Sequence, residues 1–258
     1  MKYTRLGKNG PEVSTVSFGA WGISGRDWGK TNEEESKKAL HAALDHEVNF
    51  IDTADVYGFG HSEELIHEVL KERGEIGKVV IATKAGNNFY PFINQNPDVT
   101  PANPDYSEEH LKFAVEQSLR RLGVESLDIL QLHSPQIEIL ERDEPWEALT
   151  RLKQEGKIKH AGWSVQSFQE TVQAHILERH HDLIDVIQVR YNLLERELLF
   201  AFLYFLDSWP GNLILMPHLI IMIIENSIFP GKKWRSISKG LKSIRKFFES
   251  TTAIPPLN

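Results

Sequence analysis

The sequence predicts an α/β fold of the (β/α)8 TIM-barrel type, with about six strand–helix units recognisable and an atypical or incomplete C-terminal part. Three observations lead there. Short apolar runs alternate six times with stretches of helical periodicity, the pattern of a parallel sheet with crossover helices. Polar residues stand where these runs end: Asp52, Lys84, His133, Ser164, and Asn192 just past the sixth. In a parallel barrel such ends converge on one face, where TIM-barrel sites are built. The length, 258 residues, is typical of such a barrel.

Taken in order, residues 3–6 and 12–14 flank the turn cluster Lys8-Asn9-Gly10-Pro11 and predict a hairpin. Val16–Gly19 is the first buried strand. Thr31 with Glu34 reads as a capping box opening a helix with Ala39, Leu40, Ala43 and Leu44 on one face. The strand Asn49–Asp52 leads into the loop FIDTADVYG (50–58) and a helix near Ser62–Arg73. Val79–Thr83 is the third strand, ending at Lys84. The irregular stretch Ala85–Tyr106 holds four of the twelve prolines, and loops of that length are commonly functional. Ser107 caps a helix to about Leu122. Leu127–Leu132 is a strand ending at His133, and Pro145–Gln154 is a helix with proline at its start. Ile158–Trp163 is a strand ending at Ser164, Ser167–Glu178 a helix, and Val186–Val189 the sixth strand.

A net charge of −7 argues against nonspecific nucleic-acid binding. The absence of cysteine excludes disulfides, thiolate catalysis and cysteine-bound zinc; no metal set is expected. The N-terminus has no apolar segment of the secretory kind, so a cytoplasmic protein is expected. No glycine-rich GxGxxG joins a strand to a helix, which leaves a Rossmann site without support. No feature of the sequence sets an oligomeric state.

The stretch around FIDTADVYG organises the rest. Asp52 ends a buried strand, where a charge is costly without a partner, and Tyr57 follows five residues later. Singly, Asp52 reads as a turn cap, Tyr57 as a core aromatic, Lys84 as a solvated lysine and His133 as a packed histidine. All four at corresponding places on successive strands point instead to a site.

These blocks carry a resemblance. FIDTADVYG, IATK (81–84), SLRRLGVESLDILQLH (118–133) and GWSVQS (162–167) resemble the signature blocks of the aldo-keto reductases, from residue 1 to about 200. The resemblance implies a barrel that reduces an aldehyde or ketone with hydride from NADPH, with NADH as the alternative donor. It carries a catalytic tetrad onto Asp52, Tyr57, Lys84 and His133. Carbonyl reduction develops negative charge on oxygen, which must be stabilised and protonated. A phenol is a weak acid at neutral pH, so a lysine beside it lowers its pKa and a carboxylate orients the lysine. Tyr57 is then the proton donor, Lys84 its tuner, Asp52 the partner of Lys84, and His133 the group that orients the carbonyl. Ser164 and Gln188 match positions that hydrogen-bond the nicotinamide carboxamide. Gln188 reads equally as a polar residue of the barrel interior. Many members have asparagine where Val165 stands, and Asn192 is the candidate for that missing bond. Trp21, Trp28 and Phe59 lie on loops at the same face as candidate substrate-pocket residues, or as core anchors.

The resemblance stops near Phe200, so two parts are expected: a barrel portion, 1–200, and a divergent hydrophobic and basic segment, 201–258. Residues 1–200 hold 33 of the 36 acids and 22 of the 29 bases, a net −11, and the last 58 residues carry +4. An apolar run at 198–206 leads into the segment, which holds a second at 213–224 and a basic stretch at 231–246. Neither run is long enough to span a bilayer, and peripheral attachment is the remaining membrane reading. The change of pattern is what a reading-frame shift or truncation would produce. The missing units are those that grip the cofactor phosphate, so weak NADPH binding and impaired activity are expected. The alternative function is a non-catalytic barrel acting as a binding or regulatory subunit.

Overall fold

The computed structural model describes residues 1–6, 10–27, 29, 31–95, 99–165, 173, 175–180 and 182–189. The segment 201–258 and the turn at Lys8-Asn9 lie outside the described residues. Two short strands, β1 (Tyr3–Arg5) and β2 (Glu12–Ser14), pair antiparallel as the expected hairpin. Six more form one parallel sheet in sequence order: β3 (Phe18–Gly19), β4 (Phe50–Asp52), β5 (Val80–Ala85), β6 (Leu127–His133), β7 (Ile158–Ser164) and β8 (Ile184–Gln188). Between them run α1 (Glu33–Asp45), α2 (His61–Arg73), α3 (Glu108–Leu122), α4 (Ile137–Leu140), α5 (Glu144–Gln154) and α6 (Ile176–His180). This is the strand–helix order of the TIM-barrel type.

Register decides which face each side chain occupies. Asp52 pairs with Ala82, Ala82 with Ile129, Lys84 with Gln131, His133 with Ser164, and Ser164 with Gln188. Register neighbours share a face and successive residues alternate. The face opposite this set carries Ile51, Ile81, Leu130, Leu132, Ala161, Trp163 and Ile187. These pack into one buried cluster with Leu40 of α1, Leu65 and Val69 of α2, Leu111 and Val115 of α3, and Trp146 and Leu149 of α5.

The first face is an interior. Gln188 Nε2 donates to Asp52 Oδ1 at 3.3 Å although three strands separate β4 from β8. In a flat sheet, at 4.8 Å per strand, they would stand about 19 Å apart. The sheet is therefore curled, and its inner face is layered. Phe50, Ala82, Ile129 and Val186 form an apolar floor with Leu6 and Val13 of the hairpin, which covers the N-terminal end. Asp52, Lys84, Gln131, His133, Ser164 and Gln188 stand above that floor. Gly162 sits at the register shift between β7 and β8, where a Cβ would come within 1.7 Å of the Val186 carbonyl oxygen.

Several boundaries differ from expectation for local reasons. The first helix is capped by Asn32 rather than Thr31: Asn32 has the extended backbone a cap needs, and its Oδ1 accepts from Glu35 N at 3.2 Å. Ser107 caps α3 as expected, accepting from His110 N at 3.3 Å. The first strand pairs only over Phe18–Gly19, and β8 begins two residues earlier and ends one residue sooner than the apolar run suggests. Residues 167–172 and 174 of the helix expected over Ser167–Glu178 lie outside the described residues, and its helical end reaches His180. The short α4 is absent from the sequence expectation; its Leu140 is buried and the Leu140 carbonyl accepts from Trp146 Nε1 at 2.8 Å.

Candidate active site

The chain leaves β4 without leaving β5. Thr53 N donates to Ala82 O at 2.8 Å and Asp55 N to Lys84 O at 3.1 Å, and a tight turn follows in which Tyr57 N donates to Ala54 O at 3.2 Å. Gly58 (φ 62) and Phe59 (φ 59) are both left-handed, and a Cβ at Gly58 would meet Ser24 O at 2.4 Å. Glycine is needed there because the first loop passes directly over the turn. Tyr57 is thereby held beside the end of the lysine strand.

Lys84 is the hub. Its Nζ donates to Asp52 Oδ1 at 2.8 Å, to Asp52 Oδ2 at 2.9 Å and to the Thr53 carbonyl at 2.8 Å. The two side chains are 2% and 8% exposed, so the pair is buried. The Lys84 ammonium lies 5.3 Å from the centroid of the Tyr57 ring. Burial works most strongly against charging Lys84, but Asp52 and the Tyr57 phenol together more than offset it and hold the ammonium above the usual lysine value. For Tyr57 the balance runs the other way from the simple expectation. Burial pushes the phenol above its ordinary value of 10; Lys84 pulls it down and Asp52 adds to the rise, with a net upward shift. Lys84 therefore limits a rise that burial causes.

His133 faces the same phenol. Its ring lies 5.7 Å from that of Tyr57 at 81°, edge to face. Burial and the nearby Lys84 cation push its pKa down to about 3, so it is neutral at physiological pH. Its Nδ1 is buried without a hydrogen-bond partner, and its carbonyl accepts from Tyr106 OH at 2.7 Å. Ser164 pairs with it in register, and Gln188 pairs with Ser164 on the next strand. Gln188 directs Nε2 to Asp52 and leaves Oε1 buried and unpartnered. An acceptor of that kind suits the N–H groups of a primary carboxamide, so the residues present fit the nicotinamide end of the implied cofactor.

Of the candidate pocket residues, Trp21 stacks on Tyr57 at 5.6 Å and 12° and is 37% exposed, so it lies over the phenol at the surface. Phe59 stacks on Phe89 at 5.1 Å and lies 4.2 Å beneath the Arg26 guanidinium, a packed position. Trp28 and Asn192 lie outside the described residues. The long loop that follows β5 is tied to the first loop, since Asp27 accepts from Thr100 N at 2.8 Å and Thr100 Oγ1 at 2.9 Å.

Two participants escape the sequence reading. The Thr53 carbonyl is a backbone group and has no sequence signal. Asp55 is a second acid in the same stretch, with no basic residue between Asp52 and Gly60 to answer it, and that imbalance is the signal available.

The model of the Aldo/keto reductase family matches residues 15–203. The chain is 35% identical over 198 residues to the aldo-keto reductase YhdN of Bacillus subtilis, covering 77% of this chain and 56% of that protein. It is 32% identical over 199 residues to a protein named probable voltage-gated potassium channel subunit beta of Arabidopsis thaliana, covering 76% and 57%. Among solved structures, the holo form of aldo-keto reductase AKR11C1 from Bacillus halodurans superposes with a TM-score of 0.69 at 30% identity, over 83% of this chain and 65% of that one. The glycerol dehydrogenase AKR11B4 from Gluconobacter oxydans gives 0.67 at 32%, over 83% and 62%. The chain thus spans a little over half the length of these two curated relatives.

Proposed function

The chain belongs to the aldo/keto reductase family, and on that premise we propose that it is an oxidoreductase that reduces an aldehyde or ketone to an alcohol, with Tyr57 as proton donor. The observation that carries this reading is the Lys84 ammonium, bonded to both oxygens of Asp52 and lying 5.3 Å from the Tyr57 ring. A nicotinamide cofactor, NADPH in this reading, supplies the hydride when bound, and Ser164 and Gln188 are the residues that would hold its carboxamide. Asn192 keeps the third hydrogen bond in this assignment.

The chain's own residues do the following. Neutral His133 donates a hydrogen bond that orients the substrate carbonyl and stabilises charge as it develops on oxygen. Tyr57, a phenol that is protonated at neutral pH and that burial holds above its ordinary value, gives its proton to that oxygen as the C–H bond forms. Lys84 stabilises the phenolate left behind, and Asp52 keeps Lys84 charged and aimed. Trp21, stacked on Tyr57, shields the phenol and shapes the pocket, and Trp28 remains a candidate for the same wall outside the described residues.

The test is turnover of an aromatic aldehyde with NADPH by the full chain and by Tyr57→Phe. Loss of roughly 10²–10⁴-fold in the variant is expected, the usual size of a general-acid contribution. Turnover that survives the substitution refutes the assignment. NADPH binding, read by quenching of tryptophan fluorescence, is expected to be micromolar or weaker. The departure from family pattern in a C-terminal segment beginning near residue 200 motivates that expectation, and a tighter complex would overturn it.

A second reading rests on the relatives named as potassium channel beta subunits. It makes the chain a non-catalytic barrel that binds a partner. Partner binding that persists without cofactor, with no turnover by the parent, would favour it. Among the described residues no helix is long and apolar enough to cross a membrane; we take the cytoplasm as the site of action.

A further inference from the structure

Asp55 stands two residues before Tyr57 and is 0% exposed. Among the described residues neither of its carboxyl oxygens has a partner at full hydrogen-bond geometry, and the nearest support is the backbone N–H of Val56. Its backbone N–H donates to Lys84 O at 3.1 Å, which fastens it against the end of β5. The neighbouring buried acids are compensated. Asp52 has Lys84, and Glu63 has Arg121 Nε at 2.7 Å and Thr83 Oγ1 at 2.6 Å. A buried carboxylate with no ion partner of its own and little hydrogen bonding is far costlier than the neutral acid.

The groups that face Asp55 come from every element around it. Glu63 on α2 repels a charge there; Arg121 on α3, the backbone N–H of Val56 and Lys84 on β5 favour one. Both cations are already bound to other acids. The phenols of Tyr57, Tyr90 and Tyr106 all respond to a charge on Asp55. Burial, reinforced by Glu63, holds the Asp55 carboxyl well above the usual carboxylate range.

We propose that Asp55 is carried as the neutral acid and is a positioning residue of the candidate site, whose ionisation sets the upper pH limit of Tyr57 as a proton donor. The second half rests on the function proposed above. While Asp55 is neutral, Lys84 answers one carboxylate. Once ionised, Asp55 puts a second negative charge near the phenol and disfavours the phenolate that proton donation must leave.

The first arm of the test is independent of activity. The full chain and its Asp55→Asn variant are melted across pH. A folded-state pKa above the ordinary value means that the stability Asp55 allows is fully present below about pH 4 and is lost as pH rises through the folded value. Asparagine has no such loss. The melting temperature of the variant relative to the parent should therefore climb by about 3–5 °C per pH unit above about pH 4. A difference that stays constant to neutral pH overturns the proposal. Should the variant fail to fold, infrared titration of the parent decides: a carboxylic C=O band that persists at neutral pH supports it, and its complete loss by about pH 6 refutes it.

The second arm is the pH profile of kcat. The alkaline fall of the parent should move to higher pH in Asp55→Asn. Identical profiles overturn the link to Tyr57 while leaving the neutral acid to the first arm. Absence of turnover in both chains counts against the proposed function itself.

Discussion

Exchanging Lys84 for methionine keeps an unbranched side chain one atom shorter and removes its charge. In the parent the ammonium makes three contacts of 2.8–2.9 Å, two to Asp52 and one to the Thr53 carbonyl. The variant strands a buried carboxylate whose remaining contact is Gln188 Nε2 at 3.3 Å. Breaking a buried pair from one side costs about 3–5 kcal/mol, because the other charge stays desolvated and unpaired. At roughly 2–4 °C per kcal/mol for a chain of this size, the melting temperature should fall by about 6–20 °C. The double variant Asp52→Asn/Lys84→Met leaves no charge at this pair and should recover most of the loss. Thermal melts of the three chains followed by circular dichroism measure all of this. A single variant within about 2 °C of the parent, or a double variant as unstable as the single, would mean that Lys84 does not hold Asp52 and would refute the account of the site.

Three further outcomes follow from the geometry. His133 has a folded-state pKa of about 3, below the ordinary 6.5, so the stability tied to it is present above pH 6.5 and lost as pH falls toward 3. Its ring-proton NMR signals should hold steady from about pH 5 to 8, and a midpoint near 6.5 would contradict its burial. Gly162→Ala drives a Cβ into the Val186 carbonyl and should cost about 3 kcal/mol or prevent β7–β8 pairing, seen as lost amide-exchange protection in β8; an unchanged β8 would show that the close approach is not real. Ser107→Ala removes the cap of α3 and its bond to Asp105, and should lower stability by about 1 kcal/mol in urea melts, whereas an unmoved midpoint would show the cap to be idle.

The elements were legible because their signals are local. Ser107 announces its helix by a side chain that reaches its own first turn, and Leu127–Leu132 declares a strand by an apolar run of the right length. The misses are local too, but finer. Thr31 and Asn32 are both competent caps, and backbone geometry at Asn32 chose between them. The short α4 has too few residues for a periodicity to show, and it is held by a bond to Trp146 that only packing supplies.

The candidate site divides in the same way. The sequence by itself determined which residue types end the strands, and therefore that an acid, a lysine and a histidine would meet near Tyr57 if the strands lay side by side. Only the tertiary structure decided the curl that brings Gln188 to Asp52 across 136 positions of chain, the burial that raises the Tyr57 phenol despite Lys84, and the isolation of Asp55. The reason is physical. Side-chain type and periodicity act over a few residues, whereas desolvation and charge–charge distance depend on everything that packs nearby, most of it distant in sequence.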